Sequence, residues 1–131
     1  MKPRLFIGSS SESLPIAHAL QQGLEYSAEV TVWTQGIFKL SVSTLGSLVA
    51  ALETFEFGVF VLAADDITKI RDKEERTARD NVIFELGLFI GALGPERTYF
   101  VIPRDVADLH LPTDLLGMTP AMFEANRSDG N

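Results

Sequence analysis

The chain has 131 residues, which is typical of one domain, and 46% of them are hydrophobic, which predicts a globular fold with a real core. Its formal net charge of −7 argues against binding to nucleic acid or to an anionic membrane, because both attract clusters of lysine and arginine. The absence of cysteine excludes disulfides and thiolate metal sites, and the two histidines, His18 and His110, stand in no metal-ligand spacing.

The apolar residues alternate along the chain between short β-rich runs and helical spacing. The β-rich runs predict four strands and a short edge segment, at Arg4–Gly8, Glu29–Trp33, Phe57–Ala63, Thr98–Ile102 and Ala121–Phe123. The helical patterns predict three helices, at Pro15–Leu24, Thr44–Glu53 and Asn81–Gly94. Thr34–Ser43 reads as a loop, and the charged stretch Lys69–Arg79 reads as a solvated loop or a short helix.

Strands that alternate with helices predict βαβ units, and hence an α/β fold with a central parallel sheet and helices on both faces. Ligands of such sheets bind outside the carboxyl ends of the strands. The segments that follow the first three predicted strands are Gly8-Ser9-Ser10, Trp33 to Phe38 and Ala64 to Asp66. We therefore expect the functional site to be built from these segments.

The chain enters its first predicted strand at Arg4 with no secretory apolar segment before it. The apolar run at Asn81–Gly94 is shorter than the roughly 20 residues that a membrane-spanning helix needs. These features predict a cytoplasmic protein without membrane contact. We expect residues 1–124 to form the domain and the small, polar residues 125–131 to form a linker-like tail.

Glu85 is the only charged residue in the apolar run Asn81–Gly94. An ionised carboxylate is costly to bury without a partner. Glu85 therefore either pairs with an arginine, such as Arg79 or Arg97, or faces a ligand crevice with Asn81 one turn away. The second interpretation also predicts a raised pKa for the Glu85 carboxyl, as catalytic carboxylates in apolar pockets often have.

The helix that carries this glutamate is apolar nearly all round, which predicts that it is largely buried. Gly87 and Gly91 lie one turn apart within it, and each lowers helix propensity by about 1 kcal/mol relative to alanine. Such a cost is usually compensated by the close approach of another backbone, so we expect one at these glycines.

Polar and aromatic residues near two strand ends are further candidates. Gly8-Ser9-Ser10 joins a strand to a helix, where backbone N–H groups and hydroxyls hold phosphates, although a capping loop explains the same residues. Trp33 and Phe38 flank Gly36 and are suited to stacking on a flat ring. For Trp33, a place in the core is an equally good interpretation.

Asp65 lies at the end of the third predicted strand, beside Asp66. Paired carboxylates at such a place bind Mg²⁺ or accept a phosphoryl group in response-regulator receivers. Receivers also need an acidic pair after the first strand and a lysine after a later one, and neither Gly8-Ser9-Ser10 nor Ile102-Pro103-Arg104 supplies these. The sequence therefore predicts no metal site, and Asp65 remains a candidate substrate contact.

Four segments of the chain together resemble the bacterial TIR-like domains of predicted nucleotide-binding proteins: LFIGSSSE, VTVWTQGIF, FGVFVLAADD and RDNVIFELGLFIG. The last of them is the most specific, and the resemblance covers nearly the whole chain. It implies a flavodoxin-like, three-layer α/β fold. It also implies an effector of cyclic-nucleotide-triggered anti-phage defence, a group in which some members are fused to STING.

Many TIR domains cleave NAD⁺ between nicotinamide and ribose with one glutamate on a helix after the third strand, and Glu85 matches that position. The resemblance thus implies an NAD⁺ hydrolase in which Glu85 is catalytic, NAD⁺ is the substrate, and no metal or other cofactor is needed. It also implies that the strand-one loop borders the substrate and that a Gly-x-aromatic element lies at the site. With the candidates above, the expected substrate contacts are Gly8, Ser9, Ser10, Trp33, Gly36, Phe38, Asp65 and Asn81.

The same resemblance implies self-association through TIR–TIR contacts and control by a cyclic-nucleotide sensor, fused or separate. Two other functions stay open on the sequence. A nucleoside deoxyribosyltransferase-like enzyme has a related sheet and also uses a glutamate on a helix, as its nucleophile. A non-catalytic TIR adaptor would act through homotypic contacts alone, and Glu85 would then be structural.

Overall fold

A computed structural model describes residues 2–33, 44–63, 66–77, 80–104, 109–111, 115, 118 and 120–123. Within them the elements follow in the order β1 (Arg4–Gly8), α1 (Leu14–Leu24), β2 (Glu29–Val32), α2 (Thr44–Leu52), β3 (Phe57–Val61), β4 (Asp66–Ile70), β5 (Lys73–Thr77), α3 (Asp80–Leu93), β6 (Thr98–Pro103), β7 (Leu109–His110) and β8 (Ala121–Phe123). No helix of this described part is long and apolar enough to cross a membrane.

The main sheet of the described residues has the order β2-β1-β3-β6-β8, and each neighbouring pair is parallel. Numbered along the sheet, this is the flavodoxin-like order 2-1-3-4-5. The predicted parallel α/β fold is confirmed, and so is the predicted edge strand at Ala121–Phe123. The order reverses between β1 and β3, and ligands of such sheets bind at the carboxyl ends of the strands at that point.

Helices cover both faces of the sheet. Successive side chains of each strand point to opposite sides, so each strand contributes apolar residues to the core on both faces. On one face Phe6, Phe60 and Phe100 form a core cluster with residues of α2 and α3. On the other face a second cluster contains Ile7, Val61 and Val101 together with residues of α1. Residue 8 follows the alternation of β1 and therefore lies on the α3 face.

The charged segment after β3 forms a hairpin, so the predicted loop or short helix at Lys69–Arg79 is wrong. β4 pairs antiparallel with β5, and β7 adds to β5 in parallel. The two turn residues have left-handed backbones, with φ 52° at Arg71 and 64° at Asp72. Two positive φ angles are typical of the tight two-residue turn that joins antiparallel strands. The third predicted strand correspondingly ends at Val61, and Asp66 begins β4.

The outer side of α3 is open to solvent, which corrects the prediction that this helix is largely buried. Val82, Leu86 and Phe89 are buried against the sheet, whereas Phe84 is 55% exposed. Gly87 and Gly91 are also exposed, and a Cβ added at either would meet nothing within 4 Å among the described residues. Within this part of the chain, the expected close approach of another backbone is therefore wrong.

Candidate active site

Glu85 lies in the second turn of α3, on the side of the helix that faces the sheet. Its Oε2 atom is 3.2 Å from the point where a side chain on Gly8 would place its Cβ. Gly8 is the last residue of β1 and pairs in register with Phe60 of β3. The carboxylate therefore lies over the carboxyl ends of β1 and β3, where the strand order reverses and where this fold class binds its ligands.

The Glu85 carboxylate is held in an apolar setting. Its Oε2 atom is buried and, within the described part of the chain, has no hydrogen-bond partner. Burial raises the pKa of the Glu85 carboxyl from 4.5 to about 7, because the charged form loses hydration. At neutral pH this carboxyl is therefore poised between its neutral and charged forms, and a cation placed beside it would favour the charged form.

The alternative in which Glu85 pairs with Arg97 is wrong. The Arg97 guanidinium lies over the ring of Phe57, with its Cζ atom 6.0 Å from the ring centroid. The Arg97 carbonyl accepts a hydrogen bond from the Gly58 N–H at the amino end of β3. Arg97 therefore lies at the amino ends of the strands, whereas Glu85 lies at their carboxyl ends. Arg79, the other predicted partner, lies outside the described residues, so that pairing stays a prediction.

The ring of Phe60 forms the floor beside this carboxylate, and two further phenylalanine rings pack behind it. Two ring atoms of Phe60 lie 2.7 Å from the Cβ position at Gly8, the same point that Glu85 approaches. The Phe60 ring meets Phe89 edge-on, with centroids 5.2 Å apart, and Phe89 stacks on Phe6 at 4.7 Å. All three rings are fully buried. A buried ring on the sheet side of the carboxylate contributes to the burial that raises its pKa.

Phe60 is a site residue that sequence reasoning misses. In the sequence it is one apolar residue of a strand buried on both faces, and its neighbours depend on the register between β1 and β3. That register pairs Phe6 with Gly58 and Gly8 with Phe60. Each phenylalanine thus lies beside a glycine across the strands, and this reciprocal pattern in LFIG and FGVF is the one signal that points to the contact.

The loop from β1 to α1 continues directly from Gly8. Ser9 and Ser10 are buried, the Ser9 hydroxyl donates to the Ser10 carbonyl at 3.0 Å, and the Ser13 N–H donates to Ser10 Oγ at 3.2 Å. Ser13 occupies the N-cap position of α1 without a side-chain capping bond, so Ser10 serves the start of the helix instead. The loop lies next to Glu85, and substrate contact by Gly8, Ser9 and Ser10 stays a prediction.

Trp33 directly follows β2, beside the end of β1. Its backbone N–H donates to the Ile7 carbonyl at 3.1 Å, which extends the pairing of the two strands. Its half-buried side chain packs against the core cluster that contains Phe6, on the same face of the sheet as Glu85. Trp33 therefore packs against the core without being part of it, and ring stacking by its remaining surface stays a prediction.

The other predicted contacts are only partly described. Gly36, Phe38 and Asp65 lie outside the described residues. Asn81 lies in the first turn of α3, one turn before Glu85 as predicted, but the position of its side chain is not described. Among the described residues no cluster of acidic or histidine side chains is arranged to hold a metal ion, and the prediction that no cofactor is needed stays a prediction.

Comparison with known proteins connects this geometry to one family. Residues 4–125 match the family described as CAP12/Pycsar effector protein, TIR domain. The chain is 50% identical over 124 residues to CD-NTase-associated protein 12 of Flavobacterium daejeonense, an alignment that covers 95% of this chain and 39% of that protein. It is 42% identical over 126 residues to Pycsar effector protein PaPycTIR of Pseudomonas aeruginosa, covering 95% of this chain and 41% of that protein. The chain spans about two fifths of the length of these relatives.

Proposed function

Because the chain belongs to the family of CAP12/Pycsar effector TIR domains, we propose that it is an NAD⁺ glycohydrolase that cleaves the bond between nicotinamide and ribose. The proposal assigns the reaction to Glu85 as the single catalytic carboxylate. It agrees with the flavodoxin-like TIR fold of the chain, whose ligand-binding edge is the edge at which Glu85 lies.

The observation that carries the proposal is the buried Oε2 atom of Glu85 over Gly8, which has no hydrogen-bond partner among the described residues. A buried polar atom without a partner is costly, so a folded protein keeps one where it serves a purpose. Beside Gly8, the Glu85 oxygen shares its space with the ring of Phe60, an apolar neighbour that offers it no hydrogen bond. A bound cationic ligand would supply the missing partner.

One carboxylate is enough for this reaction because the leaving group of NAD⁺ is already positively charged. Nicotinamide departs as a neutral molecule, so no general acid is needed to protonate it, in contrast to the pair of carboxylates in most glycoside hydrolases. The remaining task is to stabilise the positive charge that develops on the ribose. A fixed carboxylate in a low-dielectric site does so more strongly than a hydrated one, and Glu85 provides both conditions.

The remaining contacts are assigned on the same basis. The backbone N–H groups of Gly8, Ser9 and Ser10 would hold the diphosphate at the start of α1. Trp33 and Phe38 would stack on the rings of NAD⁺. The last three contacts would complete the substrate site, at Gly36, Asp65 and Asn81. The proposal includes no metal and no cofactor other than the substrate.

The relatives are longer than this chain, and their names connect them to a CD-NTase and to Pycsar systems. We place the chain in the same setting, as the NAD⁺-cleaving effector of a cyclic-nucleotide-triggered anti-phage system. A sensor of the cyclic nucleotide would be fused to the domain or supplied by a separate protein. Activity would depend on TIR–TIR contacts between copies, so it should rise more steeply than protein concentration.

The test is nicotinamide release from NAD⁺ over a series of protein concentrations, followed by chromatography. Glu85→Gln keeps the shape of the side chain and removes its charge, and Glu96→Gln is the matched control because Glu96 is exposed in the turn that follows the same helix. We expect release by wild type and by Glu96→Gln, and none by Glu85→Gln. Equal release by all three would refute the catalytic assignment.

Two other outcomes would favour the functions that the sequence left open. Base exchange between added deoxynucleosides, lost in Glu85→Gln, would indicate a deoxyribosyltransferase-like enzyme. Self-association without any turnover of NAD⁺ or of nucleosides, even at the highest concentration, would indicate an adaptor. Circular dichroism of each variant would show that a loss of activity is not a loss of fold.

A further inference from the structure

The space above the last residue of β1 is filled by two side chains from other elements. A Cβ on Gly8 would lie 2.7 Å from two ring atoms of Phe60 and 3.2 Å from Oε2 of Glu85. The first of these distances is shorter than real Cβ contacts, so a methyl group could enter only if the ring shifts, and the second is tight enough that the carboxylate must also give by a few tenths of an ångström. The ring and the carboxylate therefore share the volume of a side chain that residue 8 lacks.

The Phe60 ring is the fixed member of this pair. It is fully buried and lies against two further buried rings, with its centroid 5.2 Å from that of Phe89 and 5.8 Å from that of Phe6. Interiors packed in this way resist movement, so the ring can yield little at Gly8 and a methyl group there would also press on the carboxylate. Within the described residues no donor hydrogen-bonds Oε2 of Glu85, which leaves contact with the floor to set its position on this side.

We propose that Phe60 is a positioning residue for the Glu85 carboxylate, and that residue 8 is glycine because the ring and the carboxylate together occupy the place of its side chain. This inference rests on the proposed function for its consequence, which is the aim of Glu85 at the ribose. Its geometric part is independent of any reaction. Gly8 thereby acquires a second role, distinct from its predicted contact with the substrate.

The positional control matters chemically because electrostatic stabilisation depends on where the charge is held. A displacement of about 1 Å in an active site costs up to roughly a hundredfold in rate. A methyl group at Gly8 would push the carboxylate away from the sheet and towards water. The pKa of Glu85 should then fall towards its ordinary value, and the step that forms the ribose cation should slow.

The chain offers a matched control at Gly58. A Cβ there would lie 2.7 Å from the ring of Phe89, so Gly58→Ala introduces the same kind of clash, on the same face of the sheet, between the same residue types. The position differs in one respect, since the atoms nearest to its Cβ belong to Phe89 and Phe60 and none to Glu85. Both alanine variants should lose stability, and only Gly8→Ala should affect the carboxylate.

The experiment compares Gly8→Ala, Gly58→Ala and wild type by three measurements on the 131-residue chain. Thermal unfolding reports the clash. Titration of ¹³C-labelled glutamate carboxyls by NMR reports the pKa of Glu85, whose signal is assigned by its loss in Glu85→Gln. Nicotinamide release reports kcat and KM. We expect Gly8→Ala to lower the Glu85 pKa by at least about one unit and kcat by at least about tenfold, with KM changed by less than about threefold. Gly58→Ala should change the unfolding temperature alone.

Phe60→Leu keeps the test decisive should Gly8→Ala fail to fold. A smaller side chain admits water beneath the carboxylate, so Phe60→Leu should also lower the Glu85 pKa and kcat. Combining it with Gly8→Ala refills that space and should raise the Glu85 pKa above that of Phe60→Leu alone. The proposal is overturned when the Glu85 titration in Gly8→Ala or Phe60→Leu matches that in Gly58→Ala. Absence of nicotinamide release from wild type would refute the proposed function instead, and the titrations would still decide the positional inference.

Discussion

Glu85 and Phe89 lie one turn apart on α3 and both face the sheet, but they approach it at opposite ends of the strands. The Phe89 ring lies 2.7 Å from the Cβ position of Gly58, near the start of β3, whereas Glu85 Oε2 lies 3.2 Å from that of Gly8, at the end of β1. One face of α3 thus contributes Phe89 to the core and, one turn earlier, places the Glu85 carboxylate at the ligand-binding edge of the sheet. Substitutions at the two positions should therefore separate stability from chemistry.

Glu85→Gln should stabilise the protein at alkaline pH. The pKa of Glu85 is about 7 in the folded chain against 4.5 for the ordinary group, so the folded state binds the proton more tightly than the unfolded state. The free energy of unfolding of wild type should therefore fall as pH rises from about 4.5 to about 7 and stay lower above that range. Since one pKa unit corresponds to about 1.4 kcal/mol, the gain in Glu85→Gln at pH 8 should be about 3 kcal/mol.

Urea unfolding at pH 4.5 and pH 8 would measure this difference for wild type, Glu85→Gln and the exposed control Glu96→Gln. The Glu85→Gln advantage should be present at pH 8 and nearly absent at pH 4.5. An advantage of the same size at both pH values would show that it arises from packing or hydrogen bonding. The Glu96→Gln control should follow wild type at both.

NAD⁺ cleavage should have the opposite dependence on pH. The charged carboxylate is the form that stabilises the ribose cation, so kcat/KM should rise with pH and level off above about 7, the pKa of Glu85 in the free protein. At pH 5.5 it should be about thirtyfold lower than at the plateau. The acid limb of kcat should lie at lower pH, because the nicotinamide cation in the complex favours the charged carboxylate. A flat profile of kcat/KM between pH 5 and pH 8 would contradict the assignment.

The sequence points to the candidate carboxylate more directly than to the residues around it. A lone carboxylate in an apolar run is an energetic anomaly that can be read without coordinates, and it led to Glu85 and to the strand edge that holds it. Phe60 could not be found in that way, since its role depends on the register that pairs Gly8 with Phe60. The register follows from how two parallel strands pack, and no local pattern encodes it.

The hairpin of β4 and β5 is not predicted from the sequence, for a different reason. Its strands, DITKI and KEERT, carry charges on both faces, so the alternation that marks a half-buried strand is missing. Its turn, Arg71-Asp72, lacks the glycine or asparagine that usually occupies positive φ angles. The exposed side of α3 was missed because apolar residues on all sides predict burial, although single apolar side chains at the surface are common.

Phe89→Ala should destabilise the chain strongly. Phe89 is fully buried and contacts both Phe6 and Phe60, so truncation to alanine leaves a cavity between α3 and the sheet. The expected loss in the free energy of unfolding is about 3 to 5 kcal/mol. Phe84→Ala is the control on the same helix, because Phe84 is 55% exposed, and it should change stability by less than about 0.5 kcal/mol. Similar losses in the two variants, measured by urea unfolding, would contradict the described orientation of α3.

Alanine at Gly87 or Gly91 should stabilise α3. Both glycines are exposed, and an added methyl group at either would meet no described atom within 4 Å, so the substitution removes backbone entropy from the unfolded chain without a clash. Each change should raise the free energy of unfolding by about 0.5 to 1 kcal/mol.

Gly94→Ala should do the reverse, because Gly94 ends the helix with φ +90°, a conformation that alanine adopts only with strain. A loss of stability in Gly87→Ala would mean that some part of the chain beyond the described residues fills the space beside the helix. Nicotinamide release should be unchanged in both stabilised variants at a fixed concentration of folded protein, because both glycines lie on the exposed side of α3 and not on the side that faces the sheet.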